Sequence, residues 1–243
     1  MKVLSYQDTP YSGDINRNLE TIARTAKGAR YFDVDVLVFP ELFVTGYNID
    51  QLIPVLAEPV TGNIITTIRR ISQQFEISII IGFPEKDQTD IFNSAVAVDA
   101  TGCIVGHHRK VYLFGDKEKE IFKPGERFDS FELNGCTCGM TICYDIEFPE
   151  SVRALARQEV KVVFNPTANM LPYVEVPKTL ARARALENSV SVVYANLSGE
   201  ENGLEYTGLS AIIGPDGLDL ARAGKGPATI MADITPEQLT VPG

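Results

Sequence analysis

The stretch Gly139–Glu150, GMTICYDIEFPE, joins two different patterns. On its amino-terminal side Cys136, Cys138, Met140 and Ile142 alternate with Thr137, Gly139, Thr141 and Cys143, which is the period of a half-buried strand. On the other side Pro149 and Glu150 open SVRALARQ, and a proline in a first turn with an acid near the positive dipole end marks a helix start. The pattern predicts a strand, a sharp turn and a helix, with Cys143 at the carboxyl end of the strand. There a sulfur stands clear of the core, and the N–H of Tyr144 can point at whatever the sulfur attacks. Read alone, the same cysteine also fits a small buried hydrophobe.

Outward from this turn, helices alternate with apolar strands. Residues 2 to 7 read as a strand and Gly13 to Arg30 as a helix, followed by the nearly continuous apolar run VDVLVFPE, which suits a strand covered on both faces. A helix from about Gly62 to Phe75 precedes ISIIIGF, another apolar strand. From Ile91 to Val111 the pattern changes to a hairpin, FNSAVAVDA and CIVGHHRKV, turning at Asp99 to Gly102, so the sheet is mixed. LFGDKEKEIFKPGERF reads as a loop with one helical turn, and Phe128 to Leu133 as a strand before Cys136 to Cys143. Beyond Pro149 come the strand VKVVFN, the loop NPTANMLPY, the helix KTLARARALENS with Asn188 as its carboxyl cap, and the strands VSVVYAN, YTGLSAIIG and ATIMADI. About a dozen strands exceed one comfortable open sheet. Two sheets face to face with helices outside would bury both faces of each, within one domain over residues 1–243.

Charge and cysteine usage narrow the partners. The formal net charge is -10 with no basic block, so the field repels nucleic acid and anionic membranes and a small molecule is the expected partner. Cys103, Cys136, Cys138 and Cys143 have no framework spacing, which implies a reducing compartment. MKVLSYQDTP meets Asp8 before a signal-type apolar stretch develops, and no run approaches membrane-spanning length, so the expectation is a soluble, cytoplasmic protein.

Glu41, Lys110 and Cys143 each lie at the carboxyl end of an expected strand, the edge where α/β sheets build ligand sites. An acid directly after VLVFP fits a carboxylate kept near a dry edge, where desolvation raises its pKa, or a solvated strand end. Lys110 closes HHRK and Glu118 sits in DKEKE, and both also fit solvated surface charges. His107 and His108, the only histidines, point to opposite sides of a strand and cannot jointly hold a metal. A base for Cys143 must then be a carboxylate or lysine. Asp145, Glu147 and Glu150 surround the thiol with negative charge, so a cationic partner is needed, and Lys110 is the candidate.

FPELFVTGY, HHRKVYLFGDKEKEIFKPGERF and GMTICYDIEFPE resemble, in order, the three signature blocks of the nitrilase superfamily of carbon–nitrogen hydrolases. The resemblance continues through NPTAN, RARALEN, YANLSGEENG, YTGLSAIIGPDG and ADI, covering nearly the whole chain. It implies an α-β-β-α sandwich, with Glu41 as general base and acid, Lys110 stabilising the oxyanion, Cys143 as nucleophile and Glu118 supporting the lysine. It implies no metal or organic cofactor, and a homodimer through the helices after Cys143 and around Arg182. Family members often carry a longer tail that reaches the partner; this chain ends at Gly243 soon after ADI, so tail exchange is not expected.

The Tyr-Asp after Cys143 resembles amidase members. Relatives acting on N-carbamoyl amino acids or ω-amides tend to place an arginine where this chain has Ile146 and Glu147. Glu147 would repel a substrate carboxylate and attract an amine, favouring small neutral or cationic carboxamides, or else it faces away in a structural ion pair. Tyr47, Thr167 and Asn169 follow strands at the same edge and are candidate pocket residues, Tyr47 also fitting the core. Rival readings are nitrile or N-carbamoyl hydrolysis on the same residues, a ligand-binding scaffold on the same fold, and a redox-sensing thiol.

Overall fold

The computed structural model describes residues 1–235. The tail expectation concerns residues 236–243 and lies outside the described residues. The strands are β1 (Lys2–Gln7), β2 (Val36–Val38), β3 (Ser78–Asp87), β4 (Asp90–Val98), β5 (Ile104–Arg109), β6 (Ser130–Leu133), β7 (Cys136–Met140), β8 (Val162–Thr167), β9 (Ser191–Asn196), the short hairpin β10 (Glu200–Glu201) and β11 (Leu204–Glu205), β12 (Ala211–Ile213), β13 (Asp219–Arg222) and β14 (Ala228–Asp233). The helices are α1 (Ile15–Ala29), α2 (Ile53–Leu56), α3 (Asn63–Phe75), α4 (Gly115–Ile121), α5 (Pro149–Ala156) and α6 (Ala181–Asn188).

Two six-stranded mixed sheets form, in the orders β14-β1-β2-β3-β4-β5 and β6-β7-β8-β9-β12-β13. Read in those directions both show the same sequence of pairings: antiparallel, parallel, parallel, antiparallel, antiparallel. The alternation of strand side chains builds the layers. Ile79 and Ile81 of β3 pack with Ile22 of α1 and Ile64 and Ile68 of α3, while Ile80 between them faces the other sheet beside Met140, Phe164 and Val193. On the far side Val163, Val192 and Tyr194 pack under Val152 and Leu155 of α5 and Ala181 and Ala185 of α6. The result is the four-layer α-β-β-α sandwich expected from the runs covered on both faces.

Local departures have physical reasons. β7 ends at Met140 rather than Cys143, because Thr141 makes the last backbone bond to β8, at 3.0 Å to Phe164 O, and Ile142 N–H turns to the Asp145 carboxylate at 2.9 Å. Cys143 then opens a tight 3-10 turn, Cys143–Glu147, with a left-handed φ of 47°. The charged segment expected to hold one helical turn forms α4 over Gly115–Ile121, because Glu118 turns inward and its Oε2 accepts the Phe114 N–H at 2.7 Å. The capping position of α6 is Ser189, at φ 52°, not Asn188, whose side chain bonds Arg184 O within the helix. β13 was not expected: DLAR is a polar edge strand that lacks an apolar alternation.

Candidate active site

Glu41 leaves β2 through Phe39 and Pro40 and is fully buried. Its backbone N–H reaches Thr167 O at the end of β8, 3.4 Å away, so the central strands of the two sheets meet at this point. The approach depends on Gly82 of β3, where a Cβ would lie 2.6 Å from Leu42 N and 3.0 Å from Glu41 Cα. Glu41 Oε1 accepts from Lys110 Nζ at 2.8 Å and from Asn93 Nδ2 at 2.7 Å, while Oε2 has no partner among the described residues. Burial raises the Glu41 pKa, and Lys110 pulls it only part of the way back.

Lys110 follows β5 and is also fully buried. Its Nζ donates to Glu118 Oε1 at 2.7 Å as well as to Glu41, which leaves one of three N–H bonds unassigned. Burial alone would lower its pKa, but the Glu118 and Glu41 carboxylates outweigh it and hold the ammonium well above the ordinary value. Glu118 Oε1 also accepts the Tyr47 hydroxyl at 2.8 Å. Tyr47 therefore positions the lysine's second carboxylate in addition to lining the neighbouring cavity.

Cys143 is buried at the start of the tight turn. Burial and the Glu41 charge push its thiol pKa up, with Lys110 opposing. The hydroxyls of Thr167 and Tyr194 are buried next to it, neither in a hydrogen bond of good geometry among the described residues. Tyr144 is the second residue of the 3-10 turn, where an N–H has no intrahelical acceptor, and its ring packs edge-on against Phe114 and Phe148.

Glu147 is half-buried, and its carboxylate makes no ion pair or hydrogen bond among the described residues. The ion-pair alternative is not realised: Arg184 binds the backbone carbonyls of Ile146 and Glu147 at 2.9 and 2.6 Å and pairs with Glu187. Burial raises the Glu147 pKa, and Lys110 and Arg184 oppose that rise, which places the acid in the electrostatic range of the site. Asn169 commits both amide hydrogens, to Tyr173 O and Thr207 Oγ1 at 2.9 and 3.1 Å, so it holds the loop behind the cavity wall.

Three residues that hold this cluster were not singled out from sequence for that work. Asn93 is a polar interruption in an apolar strand, which is the signal that could have found it. Asp145 accepts from Ile142, Val111 and Tyr112 N–H and lies 2.9 Å from His108 Nε2, tying the nucleophile turn to the segment after Lys110. Its negative charge is thereby committed to backbone donors. The histidines face opposite ways, His107 to Glu85 and His108 to Asp145. Glu201 anchors the Tyr47 segment from the far end of the chain. A cavity of about 470 Å³ lined by Phe92, His107 and Arg127 includes none of Glu41, Lys110, Glu118 and Cys143; one of about 270 Å³ is bounded by Tyr47 and, of those four, by Glu118 alone.

A buried acid, amine and thiol gathered at sheet edges, without a histidine, suit thiol attack on a carbonyl. The carbon-nitrogen hydrolase family model matches residues 2–241. The chain belongs to the carbon–nitrogen hydrolase family. A hydrolase encoded in the pqqF 5' region of Pseudomonas protegens is 40% identical over 96% of this chain and 82% of its own length. An (R)-stereoselective amidase of a Pseudomonas species is 35% identical, with the same coverage of 96% and 82%. The amidase of Nesterenkonia sp. AN1 superposes with a TM-score of 0.93 at 31% identity, over 98% of this chain and 94% of that one. A mutant of that amidase carries the product of Michael addition of acrylamide at its active site cysteine. This carbon–nitrogen hydrolase is thus an enzyme of amidase type on the nitrilase-superfamily fold.

Proposed function

We propose that the enzyme hydrolyses neutral or cationic carboxamides through a thioester on Cys143. The unpartnered Glu41 Oε2 is the observation that carries the roles, because a buried carboxylate with raised pKa and one unused oxygen is equipped to take a proton. Glu41 takes the Cys143 proton as the sulfur attacks the amide carbon. The remaining Lys110 N–H and the Tyr144 N–H receive the oxyanion, each donor contributing about 3 kcal/mol in comparable sites. Collapse expels the amide nitrogen, which Glu41 protonates to ammonia. Water then gives its proton to the freed Glu41 and attacks the thioester; the acid departs and the thiol is restored.

Lys110 and Glu118 act as a fixed pair: the lysine neutralises Glu41 enough for it to ionise, and Glu118 keeps the ammonium charged. The charge preference rests on Glu147. An unpaired, partly desolvated carboxylate near the site disfavours an anionic substrate and favours an ammonium.

The test compares kcat/KM for glycinamide, propionamide and succinamate. Succinamate should be the slowest, and Glu147→Arg should improve it relative to glycinamide. Faster wild-type turnover of succinamate would reject the preference. Cys143→Ala should abolish ammonia release from all three.

A further inference from the structure

Apolar side chains line the cavity of about 270 Å³ beside Tyr47 and Glu118: Ile53, Phe114, Ile121, Met170, Tyr173 and Leu204 form most of its wall. The polar lining residues are Tyr47, Asn48, Asp50, Asp116, Lys117 and Glu118. At the inner end are Tyr47 and Glu118, already engaged with each other and, through Glu118, with Lys110. Among the exposed lining residues Asp50 and Lys117 pair with each other at 2.9 Å, and Asp116 faces solvent. Phe114 connects the cavity to the nucleophile turn: its ring stands edge-on to Tyr144 at 5.2 Å and to Tyr173 at 5.7 Å. Tyr173 remains 46% exposed at the mouth, leaving an aromatic surface without a covering group.

A carboxamide head group needs only the polar inner end. The remaining volume is many times the ~30 Å³ share of one water, and its walls offer water few partners. A largely apolar cavity that ends at Glu118, the hydrogen-bond partner of Lys110, has the build of a side-chain subsite.

We infer that this cavity receives a large apolar or aromatic acyl side chain, so that the preferred amides are those of bulky hydrophobic acids rather than of the smallest ones. The inference rests on the amide-hydrolase reading and adds the class of acyl group to it. Burying a benzyl group here raises kcat/KM by about 10- to 100-fold over a substrate without a side chain.

The experiment measures ammonia release from phenylalaninamide, as each enantiomer, and from glycinamide. Both compounds carry an α-ammonium group, so their ratio is independent of any charge preference set by Glu147. The faster phenylalaninamide enantiomer should exceed glycinamide by about tenfold or more. Leu204→Asp and Tyr173→Ala, on the hairpin and loop at the cavity's edge, should each pull that ratio toward one. A wild-type ratio near or below one overturns the inference, as does turnover of propionamide without turnover of phenylalaninamide; the amidase reading survives both results. No ammonia from any of the three compounds would sink the amidase reading and this inference with it.

Discussion

Buried carboxylates in this protein are fixed by their donors, and the number of donors predicts what each substitution does. Glu201 accepts Ser12 Oγ at 2.9 Å, Tyr47 N–H at 3.1 Å, Asn48 N–H at 2.7 Å and Tyr206 OH at 2.5 Å. It thereby sets where the Tyr47 hydroxyl meets Glu118. Glu201→Ala should lower kcat by roughly ten- to a hundredfold through misplacement of that pair, and Glu201→Gln, which keeps the acceptor oxygen, should recover part of the loss. Glu41 gives a pH test. With Glu41 as the proposed base, its raised pKa should put the acid limb of kcat/KM above the ordinary carboxylate range, with activity lost as pH falls and Glu41 protonates. Asn93 donates to the ionised form and lowers that pKa, so Asn93→Ala should move the limb to higher pH; a limb that stays in place would separate Asn93 from the base. Glu41, Lys110 and Cys143 stood out in the sequence because each follows closely on a recognisable strand, β2, β5 and β7. Asn93, Asp145 and Glu201 did not, because their partners lie 52, 34 and 154 residues away and local pattern carries no record of such pairings.

Within the β3–β4–β5 meander, one end holds chemistry and the other holds stability. Toward Glu41, Gly82 leaves no room for a methyl group against the Leu42 and Glu41 backbone. Gly82→Ala should cut kcat more than it lowers the melting temperature, because the element yields by shifting Glu41. Farther along β3, Glu85 accepts from Ser94 and Arg109 and meets His107, and these partners overcome burial to hold its pKa down at about 2. A depressed carboxylate stabilises the folded state above its unfolded value near 4.5, and the contribution fades as pH falls toward about 2. Glu85→Gln should therefore lower the melting temperature at neutral pH and flatten its decline between those values; an unchanged acid profile would contradict the assignment. Strand existence was readable from apolar runs except at the polar edge strand β13, whereas the end of β7 and the length of α4 were not. Both boundaries are set by side-chain carboxylates, Asp145 and Glu118, that satisfy backbone N–H groups.

Across the whole molecule, two sheets with the same pairing pattern face each other, and their central strands deliver Glu41 and Thr167 to one point. This duplication is invisible as a sequence repeat because it is conserved in topology and not in residues; alternation predicted the layers, but the matching strand orders depend on long-range pairing. The outer face also presents Leu186 of α6, 60% exposed, and Leu218, 64% exposed, beside Gly217, which packs on Leu186. We propose that this face pairs two copies in a homodimer. Sedimentation should give a dimer for the wild type and a monomer for Leu186→Asp, and a monomeric wild type would remove the proposal. The central claim is that acid, amine and sulfur separated in sequence act as one nucleophilic unit, and the most direct measurement is the intact mass of enzyme quenched during amide turnover. A gain of one acyl group is expected, mapped to the Cys143 peptide and missing from Cys143→Ala. Turnover with the acyl group on another residue, or undiminished in Cys143→Ala, would contradict it.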